Sequence, residues 1–221
     1  MGRPRGQGEP KREKSRRARE NPAVSLCAQD PKLAPIVQAV GPYRFRPQSG
    51  GTHFAHVVRA IIFQQLSSKA ASCILERFLG LFGGRQPTPR ELLGTPEMAL
   101  RAAGLSRQKL SYLRDLSEKA ESGAVLIESL HELDDDALVD TLTQVNGVGT
   151  WTAQMFLIFR LGRKDVLPAT DLGIRKAVML ARRMRDLPTP KEVERVGENW
   201  RPYRSVASWY LWRSLDNGFW A

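Results

Sequence analysis

LTQVNGVGTWTAQMFLIFRLGRKDVLPATD, residues 142–171, is the stretch from which the fold is read. Before its glycines, Leu138, Val139, Leu142 and Val145 recur at helical spacing. After them, residues 153–161 are apolar on nearly every face, the pattern of a deeply buried helix. Asn146-Gly147-Val148-Gly149 is then a tight turn, with glycine where φ is positive or where another backbone comes close. A Gly-x-Gly turn opening a helix presents bare backbone N–H groups at the positive end of the helix dipole, which suits a phosphate. No strand precedes it, so a dinucleotide-binding fold is not expected. Taken alone, the turn also fits an ordinary helix-turn-helix corner inside a core.

Beyond the hairpin comes Leu167-Pro168-Ala169-Thr170-Asp171, a carboxylate at the start of another helix. The whole stretch resembles the helix-hairpin-helix DNA glycosylase superfamily, in which a Gly-x-Gly hairpin is followed by Pro and Asp. Trp151, directly after the hairpin, and Trp200-Arg201-Pro202-Tyr203-Arg204-Ser205 resemble one branch of it, the bacterial 3-methyladenine-DNA glycosylase II enzymes. The similarity runs from about Thr52 to Trp212, with several separated motifs in the right order.

Charge agrees with a polyanionic partner. The chain carries a net +11; its first twenty residues hold eight Lys and Arg against three Glu, a net +5, which leaves +6 for the rest. A globular portion that is still basic is expected of a nucleic-acid binder, and a basic surface without function is the bland reading. The two cysteines, Cys27 and Cys73, form no disulfide framework, and no Cys/His cluster has zinc spacing. Some members of the resembled superfamily carry a four-cysteine iron–sulfur loop near the C-terminus. This chain has no cysteine there, so no iron–sulfur cluster is expected. Residues 1–20 lack the apolar run of a secretory signal, and no segment has the length of a membrane span. A reducing, cytoplasmic setting is expected, nucleoid-associated in a bacterium.

Residues 1–22, rich in Gly, Pro, Arg, Lys and Glu, read as a disordered basic tail. Leu33, Ile36, Val37 and Val40 give a short helix ended by Gly41-Pro42. Thr52 caps the next, with Phe54, Val57, Val58, Ile61 and Ile62 on one face. His53 and His56 flank that face as structural or exposed residues. Further helices are expected after Ser67 or Ser68, Thr88, Thr95-Pro96 (Pro96 in the first helical position), Ser106, Asp134, Asp171 and Thr189, and from Pro202. No alternating strand pattern of useful length occurs. The class is all-α. The resemblance implies two helical subdomains flanking a cleft, one of residues 23–51 plus 172–221 and the other of residues 52–171. Thr52 also falls too early for the extra N-terminal β-domain of longer relatives, so that domain is not expected.

The resemblance implies a monofunctional hydrolase acting on alkylated bases in double-stranded DNA, as a monomer. Asp171 is the catalytic candidate: breaking the N-glycosidic bond develops positive charge on the sugar, and a fixed carboxylate stabilises it. A simple helix cap is the bland reading of the same residue. Trp151, Trp212 and Met155 match base-pocket positions; electron-rich indoles attract cationic alkylpurines by about 0.5–2 kcal/mol. Trp200 and Trp209 read as core. Leu66, with Gln65 beside it, matches the wedge that enters the DNA stack. Gly147, Gly149, Thr150, Arg107 and Lys109 are candidates for the DNA backbone. The family hairpin often binds a structural monovalent cation, here through the carbonyls of Thr143, Val145 and Val148. Relatives that also cut the strand carry Lys where Trp151 stands. Asn146 replaces the Pro common in the hairpin, which is expected to loosen the turn. Two rival readings are a non-catalytic DNA-binding module built on the same hairpin, and a glycosylase for mismatched or oxidised bases.

Overall fold

In the computed structural model, which describes residues 21–220, helix α1 begins at Pro22. Asn21 caps it by accepting the Ala23 N–H, and Pro22 stands where a missing N–H costs nothing. Most of the expected tail, residues 1–20, lies outside the described residues. Helix α1 (Pro22–Gln29) and helix α2 (Ala34–Val40) flank a 3₁₀ turn. There follow α3 (His53–Phe63), α4 (Ser68–Gly80), α5 (Pro89–Gly94), α6 (Glu97–Ala102), α7 (Arg107–Glu121), α8 (Asp135–Thr143) and α9 (Thr150–Met155). The chain closes with α10 (Leu172–Arg182), α11 (Pro190–Gly197) and α12 (Arg204–Asp216). The fold is all-α, and no strand occurs among the described residues. None of their helices is long and apolar enough to cross a membrane.

The helices form two units: residues up to Arg44 with those from Leu172 onward, and Phe45–Asp171. In the first, Leu26, Leu33, Ile36, Ile174, Val206 and Leu211 pack into the core around Trp200 and Tyr210. Its polar centre is Asp30, 4% exposed, whose carboxylate pairs with Arg182 and accepts the Trp200 indole N–H at 2.8 Å. A buried carboxylate needs such partners, and removing one costs about 3–5 kcal/mol. Trp200 is therefore core. Trp209 packs edge-on against Tyr43 and Tyr210 at 5.0 and 4.9 Å.

In the second unit the α3 stripe is buried as its spacing predicts, and Thr52 caps the helix through the Ala55 N–H. Glu128 adds a second cap, accepting the His53 and Phe54 N–H groups at 3.0 Å. Ser67, Thr88, Ser106 and Asp134 cap α4, α5, α7 and α8. Pro96 stands at the cap position of α6, one residue before the first helical one. Residues 153–161 are not one α-helix: after Met155 the chain widens into a π-turn, Phe156–Arg160.

That π-turn explains why the unit boundary falls at 44/45 rather than the expected 51/52. Phe45 packs edge-on against Phe159 at 5.6 Å, and the Gln48 N–H donates to the Phe159 carbonyl at 2.8 Å. Arg160 donates to the carbonyls of Gln48, Gly50 and Gly51 at 2.6, 3.0 and 2.6 Å. These bonds tie residues 45–51 to the second unit.

Arg160 also donates through Nε to His53 Nδ1 at 3.1 Å, so that nitrogen must be unprotonated. Burial first, then the Arg160 guanidinium, holds the His53 pKa below its ordinary value of 6.5; Glu128 opposes this, and His131 and His56 add to it. The folded chain therefore binds fewer protons than the unfolded chain once pH drops below about 6.5. The contribution of neutral His53 is complete above that value and is lost as pH falls through the folded pKa. Urea midpoints should accordingly fall between pH 7.5 and 5.5, and His53→Gln should flatten that fall. Equal slopes for the two proteins would remove His53 from the effect.

Candidate functional site

Helix α7 is the scaffold on which the Gln65–Leu66 junction and the hairpin are both fixed. Its Lys109 points inward, and its ammonium donates to the carbonyls of Ile62 and Gln64 at 2.5 and 2.9 Å. Burial pushes the Lys109 pKa down. In the folded chain this charge satisfies carbonyls at the C-terminal end of α3. Arg107, in the same first turn, is exposed.

The junction so held carries Gln65 and Leu66. Gln65 adopts φ 56°, a left-handed backbone uncommon for a residue with a side chain. Leu66 is 40% exposed, against 0% for Ile61 and Ile62 before it. Helix α3 thus buries Ile61 and Ile62 and leaves Phe63 half-buried, and Leu66, past the helix end, faces outward. Gln64 reaches across from the junction, donating through Nε2 to the Gly147 carbonyl at 2.8 Å. One side chain therefore links the outward leucine to the glycine hairpin.

The hairpin joins α8 to α9. Gly147 has φ 79°, and a Cβ there would lie 2.1 Å from the Tyr112 ring of α7. Gly149 differs: it is extended, with φ −94°, and a Cβ would meet nothing within 4 Å. Asn146 does not loosen the turn. Asp115 of α7 accepts its backbone N–H at 2.8 Å and its side-chain amide at 3.0 Å, and proline could offer neither donor. Gly147, Gly149 and Thr150 are all exposed. Thr143 is the last residue of α8, where helix geometry leaves carbonyls without an intrahelical amide, and the Val145 carbonyl accepts the Val148 N–H at 3.0 Å. Neutral carbonyl oxygens at this negative helix end are a donor set that fits a hard monovalent cation.

Trp151 and Asp171 come together. The indole Nε1–H donates to Asp171 Oδ2 at 2.8 Å, across twenty positions of sequence. Trp151, in the first turn of α9, is 44% exposed, and Asp171 is half-buried. The loop that delivers Asp171 is firmly seated. Val166, Leu167 and Ala169 are buried, Gln154 donates to the Leu167 carbonyl at 3.3 Å, and the Asp171 N–H donates to the Pro168 carbonyl at 3.0 Å. Met155, four residues after Trp151, lines a cavity of about 190 Å³ with Gln48, Arg59, Phe63 and Phe159. Trp212 stands half-buried on α12 of the first unit. Sequence reading missed Gln64, Tyr112 and Asp115. Each acts through a contact made far along the chain, and no local pattern marks it.

Residues 58–202 match the family described as HhH-GPD superfamily base excision DNA repair protein. DNA-3-methyladenine glycosylase 1 of Schizosaccharomyces pombe is 36% identical over 194 residues, 86% of this chain and 85% of that protein. The solved structure of the same yeast's 3-methyladenine DNA glycosylase with abasic DNA superposes with a TM-score of 0.79, covering 88% of this chain and 96% of that one. A DNA-3-methyladenine glycosidase from Bacillus halodurans gives a TM-score of 0.78 at 33% identity, covering 89% and 90%.

Proposed function

We infer function from family and site together: the chain belongs to the HhH-GPD superfamily of base excision DNA repair proteins, and it is a monofunctional DNA glycosylase for alkylated bases. The observation that carries the chemistry is the Asp171 carboxylate, fixed by the Trp151 indole at 2.8 Å on a buried loop beside the hairpin.

A stacked base is out of reach of any carboxylate, so the nucleotide is extruded at a cost of a few kcal/mol. The exposed N–H groups around Gly147, Gly149 and Thr150 hold a phosphate, with Arg107 as a further cation. Leu66, beside Gln65, enters the space that the base leaves. Trp151 and Met155 offer aromatic and polarisable surface to the extruded base, and its positive charge favours such faces. The C–N bond then breaks with its electron pair leaving on the base. A cationic alkylbase is a good leaving group and needs no dedicated acid. Asp171 stabilises the sugar cation and orients the water that adds to it, and the proton that the water sheds passes by way of the carboxylate to solvent. The position after the hairpin holds Trp151, which has no amine, so water is the nucleophile and the product is an intact abasic strand. A monovalent cation on the carbonyls of Thr143, Val145 and Val148 would brace the hairpin. The partner is double-stranded DNA bearing alkylated bases, met by a monomer in the cytoplasm.

Base release from duplexes carrying 3-methyladenine, 7-methylguanine, 1-methyladenine, hypoxanthine or ethenoadenine tests this reading. Free base should appear from at least one alkylated substrate, with the strand uncut until alkali is added. Borohydride should trap no protein–DNA adduct. A trapped adduct, or direct strand cutting, would overturn the monofunctional assignment. Release of none of the alkylated bases would overturn the function.

A further inference from the structure

Among the described residues, the cavity beside Met155 holds one guanidinium whose N–H donors meet no acceptor. It belongs to Arg59 of α3, half-buried in the cavity wall. One face of the planar group rests on the Phe63 ring, with Cζ 4.0 Å from the centroid, which leaves its edge open. The second guanidinium in the wall, Arg160, is committed to the carbonyls of Gln48, Gly50 and Gly51 and to His53. His56 donates through Nε2 to the Gly50 carbonyl at 2.7 Å. Burial, opposed by that bond, holds the His56 pKa below its ordinary 6.5, so the ring is neutral at pH 7. No carboxylate lines the cavity, and Phe63, Met155, Phe156 and Phe159 make most of its wall. A mostly apolar site with a few open polar groups suits a flat ligand that brings acceptors. Its volume of about 190 Å³ is far above the roughly 10–15 Å³ that one water needs.

Its place agrees with the chemistry. Trp151, bonded to Asp171, and Met155 stand four residues apart on α9, one helical turn or about 6 Å. A purine whose sugar lies at Asp171 spans a similar length to its far edge. In guanine-like bases that edge carries O6 and N7, two adjacent acceptors that arginine meets with two N–H groups. A cationic base departs without help. A neutral base leaves as an anion, with the C–N electron pair on its ring, and takes a proton from solvent afterwards.

We propose that Arg59 is a catalytic residue for neutral purine lesions: its guanidinium donates to O6 and N7 of the extruded base and stabilises the negative charge that the base carries off. This rests on the glycosylase reading and extends it to uncharged bases whose O6 and N7 are both free. The two bonds strengthen as the charge develops, so they act on the chemical step. Arginine keeps its own protons throughout.

Two bases in one enzyme test this. Hypoxanthine is neutral, with O6 and N7 free; 7-methylguanine is cationic, with N7 blocked. Single-turnover release of both is measured in the wild type, Arg59→Met and Arg59→Lys. The wild type should release both. Arg59→Met should slow hypoxanthine release about thirtyfold or more, the scale of a lost hydrogen bond to a charged group. Its release of 7-methylguanine should rise about two- to threefold, because a like charge has gone, and this also shows that the variant is folded. Arg59→Lys keeps a charge without the planar fork and should restore little of the loss. Affinity for a duplex with a tetrahydrofuran abasic analogue, which offers no base, should change less than about twofold, since no phosphate contact is removed.

Four results would overturn the proposal. They are no hypoxanthine release by a wild type that releases 7-methylguanine, equal slowing of both bases in Arg59→Met, full hypoxanthine release by either variant, and a loss of abasic-duplex affinity that accounts for the slowing. Failure of the wild type on 7-methylguanine and on every other alkylated base would instead remove the glycosylase reading itself.

Discussion

Asp171→Asn should release an alkylated base 10²–10³-fold more slowly than the wild type in single turnover, while binding an abasic-analogue duplex almost as well. The substitution keeps the shape of the side chain and removes its charge. The charge is useful mainly once the sugar becomes cationic, so the loss falls on the chemical step. The quoted range is the one found when a single electrostatic stabiliser is removed elsewhere. Asparagine can still accept the Trp151 N–H through its side-chain oxygen, so the loop and the indole should stay in place. A melting temperature near wild type checks this. Retention of full single-turnover activity would remove Asp171 from the mechanism.

Gly147→Ala should be the most damaging single-methyl change in the hairpin. The left-handed backbone at φ 79° disfavours any L side chain by about 1–2 kcal/mol. The new Cβ would also sit 2.1–2.4 Å from three atoms of the Tyr112 ring, and overpacking of this kind costs about 1–3 kcal/mol. Together these predict a loss of roughly 2–5 kcal/mol in urea unfolding. Tyr112→Ala in the same chain should recover the second part and not the first. Gly149→Ala is the contrasting case. Its backbone is extended and its surroundings are open, so stability should stay within about 0.5 kcal/mol. The fold itself does not require glycine there, which leaves close approach of a ligand as the requirement. Affinity for the tetrahydrofuran duplex should therefore drop in Gly149→Ala although the protein melts normally. Wild-type stability in Gly147→Ala, or wild-type affinity in Gly149→Ala, would reverse the roles given to the two glycines.

The sequence told the two glycines apart no better than this, because φ is not written in residue type. The helices were legible wherever a cap preceded an apolar stripe. Thr52, Ser106 and Thr189 each accept the N–H that their position predicts. Helix α1 was not read, since only Ala23 and Leu26 of it are buried and make no stripe; Asn21-Pro22 was its sole signal. The π-turn was invisible because Phe156–Ile158 are buried whether the turn is α or π. The inward turn of Lys109 was hidden for a simpler reason. A long flexible cation near a helix start reads as solvent-facing, and only the exposed carbonyls at the end of α3 explain why it turns inward. The Trp151–Asp171 bond was out of reach of any local rule. It depends on the path of residues 161–170, which is set by burial of Val166, Leu167 and Ala169.

The buried Asp30 has a consequence for the order in which the chain is made. Its partners, Arg182 and Trp200, lie more than a hundred and fifty positions downstream. A nascent chain leaving the ribosome therefore presents α1 and α2 with a carboxylate that has nothing to pair with. Residues 45–171 are continuous and carry their own core, so they are complete on emergence of Asp171. The N-terminal helices must wait through that interval and can settle only once Arg182 and Trp200 have been translated. A ribosome stalled with the chain out to Asp171 should accordingly display a protease-resistant fragment that starts near Phe45, with α1 and α2 open to cleavage.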